Sequence, residues 1–411
     1  MDTDKETLIV FTYAPAGLGH IRVTDALIEA IPPHLKYTVF TAQDSTTETM
    51  HRFSSINTWA RKLMEFTQKG KAGYWFTKIY TKYLKTHTDD LLNQFIHLVQ
   101  DRSVKPQKII IVSTHFGLAY QLGELKNQIS KILNAEVFLV VQVTDDSPQD
   151  IWYVDSADLI FCPSLKTKNA LKAFARKDGL PDVPVEVVPY PVSLEFSQKL
   201  SASKINQRLQ QYDPTENTPI NIIIPVSGAA VGMEFFAHLI HTLHKMSPRF
   251  VFHIVCRQAP FTLIFLHKMS HRSYVRLYVS SGYRETVNLY KTVYKKNIIS
   301  AEITKPSEQA FKALLDVDSV GGAFLLLAEP VGRQEHDNLN FLKRNGLIET
   351  ASKNTRGWIL PQGSKASAEL TWSLYQGTML ETFKNFKQKD SSHEIGSDGA
   401  KQFWKVLLEK A

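Results

Sequence analysis

Cysteine is nearly absent from this chain of 411 residues: Cys162 and Cys256 stand far apart, each inside its own apolar run. That excludes a disulfide framework and reads as two buried thiols in a reducing compartment. Long hydrophobic runs are missing too. None reaches the ~18–20 residues that a membrane-spanning helix needs, and the acidic start Met1-Asp2-Thr3-Asp4-Lys5-Glu6 lacks a secretory-signal pattern. The expected place is the cytoplasm, with peripheral contact on the inner face of the plasma membrane as the one membrane role left. No His/Cys set is clustered at ligand spacing, so neither a metal nor another cofactor is expected.

What is present is apolar content of 43%, enough for about two domains of ordinary size, and a formal charge of +8. Much of that excess lies between Met50 and His87, where eight Lys and Arg face Glu65 alone. Trp59, Trp75 and Phe76 stand among these cations with five further aromatic residues. Basic residues interleaved with rings suit an anionic membrane surface, where each cation adds ~1 kcal/mol. The same composition suits single-stranded nucleic acid, or a helical insertion whose lysines are merely solvated. Membrane contact is the reading preferred, and no nucleic-acid partner is expected.

Along the chain, short apolar runs alternate with helical patterns. Leu8–Ala14 ends in Pro15-Ala16-Gly17-Leu18-Gly19-His20, followed by a helix carrying Val23, Leu27 and Ile28. Further strands are expected at 37–43, 108–113 and 136–143, and apolar stretches follow at 158–164 and 185–191. Polar residues follow, and 211–219 reads as a hinge. The alternation then restarts at 221–226, whose end Ser227-Gly228-Ala229 is a second small-residue loop before a helix. Strands follow at 250–256, 275–281, 298–304 and 323–328. The last two lead into Lys305-Pro306-Ser307-Glu308 and into Pro330-Val331-Gly332-Arg333-Gln334-Glu335-His336-Asp337-Asn338. Small residues between a strand and a helix let backbone N–H groups approach a phosphate. Polar groups at the carboxyl end of a parallel strand are where α/β sheets hold anionic ligands. The fold class expected is therefore α/β, two doubly wound Rossmann-like domains facing a cleft. The first would span 1–200 with the basic insertion at about 45–100, the linker 201–219 and the second domain 220–390. A helix over 391–411 would complete the chain.

Gly17-x-Gly19-His20 and the Pro-x-Gly-x-Gln-Glu-x-x-Asn pattern of 330–338, in this order, resemble the GT-B glycosyltransferases, in particular the monogalactosyldiacylglycerol synthase, processive diacylglycerol glucosyltransferase and MurG group. Three positions depart from the group's pattern: Gln149 stands where a His is usual, Gly228 stands alone where a double glycine is usual, and Ala313 replaces a ribose-binding Glu. The resemblance implies that a UDP-sugar is bound by Ser227, Gly228, Ala229, Lys305, Pro306, Ser307, Glu308, Gly332, Arg333, Gln334, Glu335 and Asn338, with Gly17 and Gly19 closing on it. It implies that His20 or Asp145 is the base, that Trp152 lies toward the acceptor, and that catalysis needs no metal. It also implies that the C-terminal helix crosses back onto the first domain. The acceptor expected is a lipid hydroxyl such as that of diacylglycerol. A UDP-sugar 2-epimerase of the same architecture and a non-catalytic nucleotide-sugar or lipid-surface binding protein are the alternatives.

Overall fold

The computed structural model describes residues 6–14, 17–41, 78, 81–86, 88–103, 105–226, 230–349 and 355–411. Ser227, Gly228, Ala229, Trp59, Trp75, Phe76 and nearly all of the basic insertion lie outside these residues. The chain divides into two compact units. One comprises Met1–Pro191, Ser392–Glu394 and Asp398–Ala411; the other comprises Val192–Ser391 and Ile395–Ser397.

The first unit is built on six parallel strands, β1 (Thr7–Thr12), β2 (Lys36–Phe40), β3 (Lys108–Ser113), β4 (Glu136–Gln142), β5 (Leu159–Cys162) and β6 (Val185–Val187), in the order β2-β1-β3-β4-β5-β6. Runs such as Leu8–Phe11 and Ile109–Val112 are apolar on both faces because helices cover both sides of a parallel sheet. Its helices are α1 (Leu18–Glu29), α2 (Asp89–Gln100), α3 (Phe116–Leu133) and α4 (Leu165–Asp178). α3 buries Leu118, Leu122, Leu125 and Ile129 along one stripe and stops at Asn134, which is left-handed at φ 49°. α4 starts at Ser164, whose hydroxyl accepts from the Thr167 amide, and stops at left-handed Gly179.

The second unit repeats the plan. It holds α5 (Ala202–Tyr212), β7 (Ile220–Pro225), α6 (Met233–Met246), β8 (Phe250–Arg257), α7 (Leu263–Ser270), β9 (Val275–Ser280), α8 (Tyr283–Lys296), β10 (Ala301–Thr304), β11 (Phe324–Leu327), α9 (Arg333–Arg344), β12 (Gly357–Ile359), α10 (Ser364–Ser373) and α11 (Met379–Asn385). All six strands are parallel, in the order β12-β11-β10-β7-β8-β9. The last helix, α12 (Gly399–Lys410), belongs to the first unit: the Trp404 indole N–H donates to the Leu27 carbonyl at 2.8 Å, and Phe403 packs 4.5 Å from Phe161.

The stretch expected as a linker, 201–219, contains α5. Its Tyr212 is fully buried and donates to the Ser300 carbonyl at 2.7 Å. Residues 196–200 also belong to the second unit. Backbone bonds join Phe196, Gln198 and Leu200 to Gly321, Val320 and Asp318.

Charge in the second core is matched locally. The Arg208 guanidinium donates to the carbonyls of Val317, Ser319 and Val320 at 2.7–3.0 Å, and that of Arg356 donates to Gly322 and Ala323. On β10, the Glu302 carboxylate takes the Lys312 ammonium and the hydroxyls of Tyr290 and Tyr294.

His253 on β8 bridges Asn221 Oδ1 at 2.9 Å and the Tyr278 hydroxyl at 3.2 Å. Burial pushes this imidazole down to about 4 from 6.5, and the charge of Arg276 adds to the effect. The unfolded chain therefore takes up a proton between those values that the native chain refuses, and stability is lost as pH falls through the interval. The loss attributable to His253 should approach about 3 kcal/mol at 1.36 kcal/mol per unit. Urea titrations from pH 7 to 4 should show a shallower decline for His253→Asn than for the wild type.

Candidate functional site

In both units the first strand lies inside the sheet, and the chain crosses from one side of it to the other. β1 has β2 on one flank and β3 on the other; β7 has β8 on one flank and β10 on the other. Helices then leave neighbouring strands on opposite faces, and a crevice opens at the carboxyl ends of that pair. The polar residues of interest collect at these two points.

At the β1/β3 point, α1 starts after Gly17 and carries Gly19 and half-buried His20 in its first turn. The loop after β3 brings Thr114 and His115 beside it. His20 Nδ1 lies 2.6 Å from the Thr114 carbonyl. A carbonyl can only accept, so Nδ1 carries the proton; in the neutral tautomer this puts the ring's lone pair on Nε2. His115 is fixed in the opposite sense. As N-cap of α3 its Nδ1 accepts from the Leu118 amide at 3.3 Å, so its proton sits on Nε2. The two rings meet edge to face with centroids 5.1 Å apart. A hydrogen-bond acceptor and a donor thus stand side by side, each tautomer set by backbone. Thr24 holds the arrangement from below, its hydroxyl donating to the His20 carbonyl and meeting that of Thr114, both at 2.8 Å.

Gly117 gives His115 its place, because a Cβ there would stand 2.8 Å from His115 Cε1. Phe116 stacks on the His115 ring at 5.0 Å, and Trp152 meets Phe116 edge to face at 5.5 Å and lies 6.4 Å from His20. Trp152 is only 1% exposed, so it walls this ring cluster and has no face to lay on a lipid surface. Asp145 follows β4, one strand further along, and is half-buried. Its neighbour Asp146 anchors the start of α4: it is fully buried and accepts from the hydroxyls of Ser164 and Thr167. Gln149 donates to the Ser147 hydroxyl at 3.1 Å.

At the β7/β10 point, Lys305 follows β10 and is 7% exposed. Its stem runs against Gly232, whose missing Cβ would touch Lys305 Cε at 3.9 Å. Gly232 begins α6 at φ 90°, a backbone shape that a side chain would strain. Ser307 folds back on Lys305, its amide donating to the Lys305 carbonyl at 2.7 Å, and Glu308 opens a 3₁₀ helix. Pro306 is buried beneath this turn, and Ala313 is interior packing at 2% exposure.

On the next strand, Gly332 begins α9 at φ 81° and Glu335 reaches back to accept from the Val331 amide at 2.5 Å. Burial holds the Glu335 carboxyl above its usual range. Lys305 and the Val331 amide oppose that shift, and the charge of Glu308 adds to it. Asn338 is buried on the same helix. Arg333 pairs with Asp337 at 3.5 Å, and Gln334 is exposed.

Two features were not picked out in the sequence. His115 stands 95 positions from His20, and nothing short of the β1–β3 pairing joins them. Asp316-Val317-Asp318 has the Asp-x-Asp spacing of a metal pair, but both carboxylates are bound by the Lys199 ammonium. Among the described residues, no group of three or more His, Cys, Asp or Glu is placed to hold a metal.

Two parallel six-stranded units of this kind make a GT-B fold. Solved structures alike in fold include the putative UDP-N-acetylglucosamine 2-epimerase of Listeria monocytogenes (TM-score 0.52, 9% identity, 98% of this chain and 95% of that one). They also include the S. aureus MnaA–UDP co-structure (0.51, 12%, 99% and 98%) and Arabidopsis thaliana UGT89C1 with UDP-L-rhamnose (0.51, 10%, 99% and 100%). No family model matches the sequence, and no curated protein does.

The histidine geometry has a direct spectroscopic check. Long-range ¹H–¹⁵N correlation of the neutral protein should show His20 protonated on Nδ1 and His115 on Nε2. Gly117→Ala should disturb the His115 signals and leave the His20 tautomer in place.

Proposed function

We propose that this chain is a nucleotide-sugar enzyme that moves a hexose or N-acetylhexosamine from a UDP-sugar to a hydroxyl acceptor. The observation carrying this reading is the neutral His20 ring held with its lone pair on Nε2 beside a donor N–H on His115. An imidazole so fixed is suited to take a proton from a hydroxyl. The start of a helix disfavours its charged form.

Donor binding is assigned to the second unit. Lys305 places a cation, and the first turns of α6 and α9 place backbone N–H groups, at the switch point where a diphosphate would bind. Glu308, Glu335 and Asn338 are the groups assigned to the ribose hydroxyls. In the reaction proposed, His20 Nε2 takes the acceptor proton and the acceptor oxygen bonds to the anomeric carbon. The bond from that carbon to the diphosphate oxygen breaks, and UDP leaves with its charge met by Lys305 and the helix starts. No metal step is included. Gly17, Gly19 and the 330–338 pattern support a likeness to the monogalactosyldiacylglycerol synthase and MurG type among such enzymes. The acceptor proposed is a lipid hydroxyl such as diacylglycerol, reached from the cytoplasmic face of a membrane. Among the described residues no helix is long and apolar enough to cross one.

A second reading, a UDP-sugar 2-epimerase, is favoured by the Listeria structure's fold. It uses the same donor set and needs no acceptor. Release of UDP that depends on an added lipid hydroxyl supports transfer. Inversion at C2 of the sugar without any acceptor supports epimerisation, and UDP-sugar binding without either reaction supports a binding protein.

Under the transfer reading, His20→Ala should lower kcat by about 10²–10⁴-fold and leave the Kd for UDP within about twofold. Lys305→Ala should weaken UDP binding by about 10–100-fold, the usual worth of a bond to a charged group. Calorimetry with UDP and a turnover assay on the same variants separate the two effects.

A further inference from the structure

Between Phe235 and Arg284 the chain has seven Lys and Arg, six of its 14 histidines and no Asp or Glu. Two of these cations are used internally: Arg249 donates to the carbonyls of Asp213 and Thr218, and Arg257 lies over the Tyr283 ring. Others face outward. Lys245 is exposed on α6, and Lys268 and Arg276 are exposed on and after α7, which packs against α6, with the imidazoles of His238, His267 and His271 exposed among them.

α7 turns Phe265, Leu266 and Met269 into the core. Its outer face begins with large apolar residues. Ile264 is 84% exposed and Leu263 47%, and Phe261 stands uncovered just before them. The outer face therefore runs from an apolar wedge to Lys268 and the imidazoles of His267 and His271 within about two turns. Its loop follows β8, so it opens at the same carboxyl edge of the sheet as Lys305.

We propose that the outer face of α7, with the loop at Pro260–Thr262, is a docking surface for an anionic lipid bilayer. Apolar side chains at headgroup depth beside Lys and Arg fit that partner in both shape and charge. A second copy of this chain fits poorly, because a two-fold contact would set one basic helix face against another. Single-stranded nucleic acid would need stacking platforms, and of the three exposed apolar residues only Phe261 is aromatic. The surface is formed by residues of the second unit, a different part of the sequence from the basic aromatic stretch 50–87, and it does not depend on the chemistry proposed above.

The test is co-sedimentation of the full chain with vesicles of phosphatidylcholine and phosphatidylglycerol, and with phosphatidylcholine alone. Wild type should partition onto the anionic vesicles, more weakly as salt rises. Leu263→Ser/Ile264→Asp should lower the partition at least tenfold, and Lys268→Glu by about fivefold or more. Melting temperature and UDP binding should stay at wild-type values in both variants, which separates loss of docking from loss of fold or of the donor site. Partition unchanged in Leu263→Ser/Ile264→Asp overturns the proposal and moves any lipid contact elsewhere. Two other results overturn it: a concentration-dependent dimer by light scattering that the double variant abolishes, or binding to a single-stranded oligonucleotide that exceeds vesicle binding.

Discussion

Everything at the candidate site depends on strand direction. Twelve strands run parallel within their two sheets, so each sheet has one edge where every strand ends and every outgoing loop begins. Helices cover both faces of such sheets, and runs like Ile222–Ile224 and Leu325–Leu327 are buried and apolar. Polar side chains within the sheet, such as Glu302 and His253, are engaged by internal partners, so the residues of the candidate site collect at the edge. Because β1 and β7 lie inside their sheets, the edge has one privileged position in each unit, next to β3 and next to β10.

Backbone, more than side chains, fixes the groups at those positions. The His20 proton is set by a carbonyl and the His115 proton by an amide, neither of which can change role. Glu335 is likewise turned toward an amide at the start of its own helix. Its carboxyl is held above the usual range mainly by burial, with Glu308 adding and Lys305 opposing. A diphosphate arriving at Lys305 would weaken that opposition, so proton uptake by Glu335 and anion binding are coupled in sign: each favours the other.

The elements were legible where hydrophobic pattern and punctuation agreed. Apolar runs closed within a few residues by Pro mark β1, β10 and β11, and Gly332 followed by Gln334 and Glu335 marks the start of α9. The His20 loop could be found because its glycines and its histidine are adjacent in the chain. His115 could not, since its importance comes from a strand crossover that no local pattern encodes. The linker was misplaced for a related reason. The polar composition of 201–212 belongs to the outer face of a helix whose inner face rests on Arg208 and Tyr212, and an arginine used to bind carbonyls looks in sequence like any solvated one. The second basic surface escaped notice because its mark is a missing residue type, the absence of acids from 235 to 284, and counting cations alone does not reveal it.

The buried charges of the second unit make sense as supports for Lys305. From Lys305 to Ala323 the chain has little regular structure beyond one 3₁₀ helix, yet it is held at three levels. Lys312 is tied to Glu302, Tyr290 and Tyr294; the carbonyls of 317–323 are taken by Arg208 and Arg356; and Asp316 and Asp318 are tied to Lys199. Interior ion pairs contribute little net stability, because desolvation offsets attraction. They do restrict where a segment can lie. Under the donor-site proposal, Lys305 would bind a diphosphate more tightly because its own backbone need not be ordered on arrival. The cost of burying Lys312 and Glu302 is thus best understood as the cost of holding the β10–β11 connection, and with it Lys305 and Glu308, in one place.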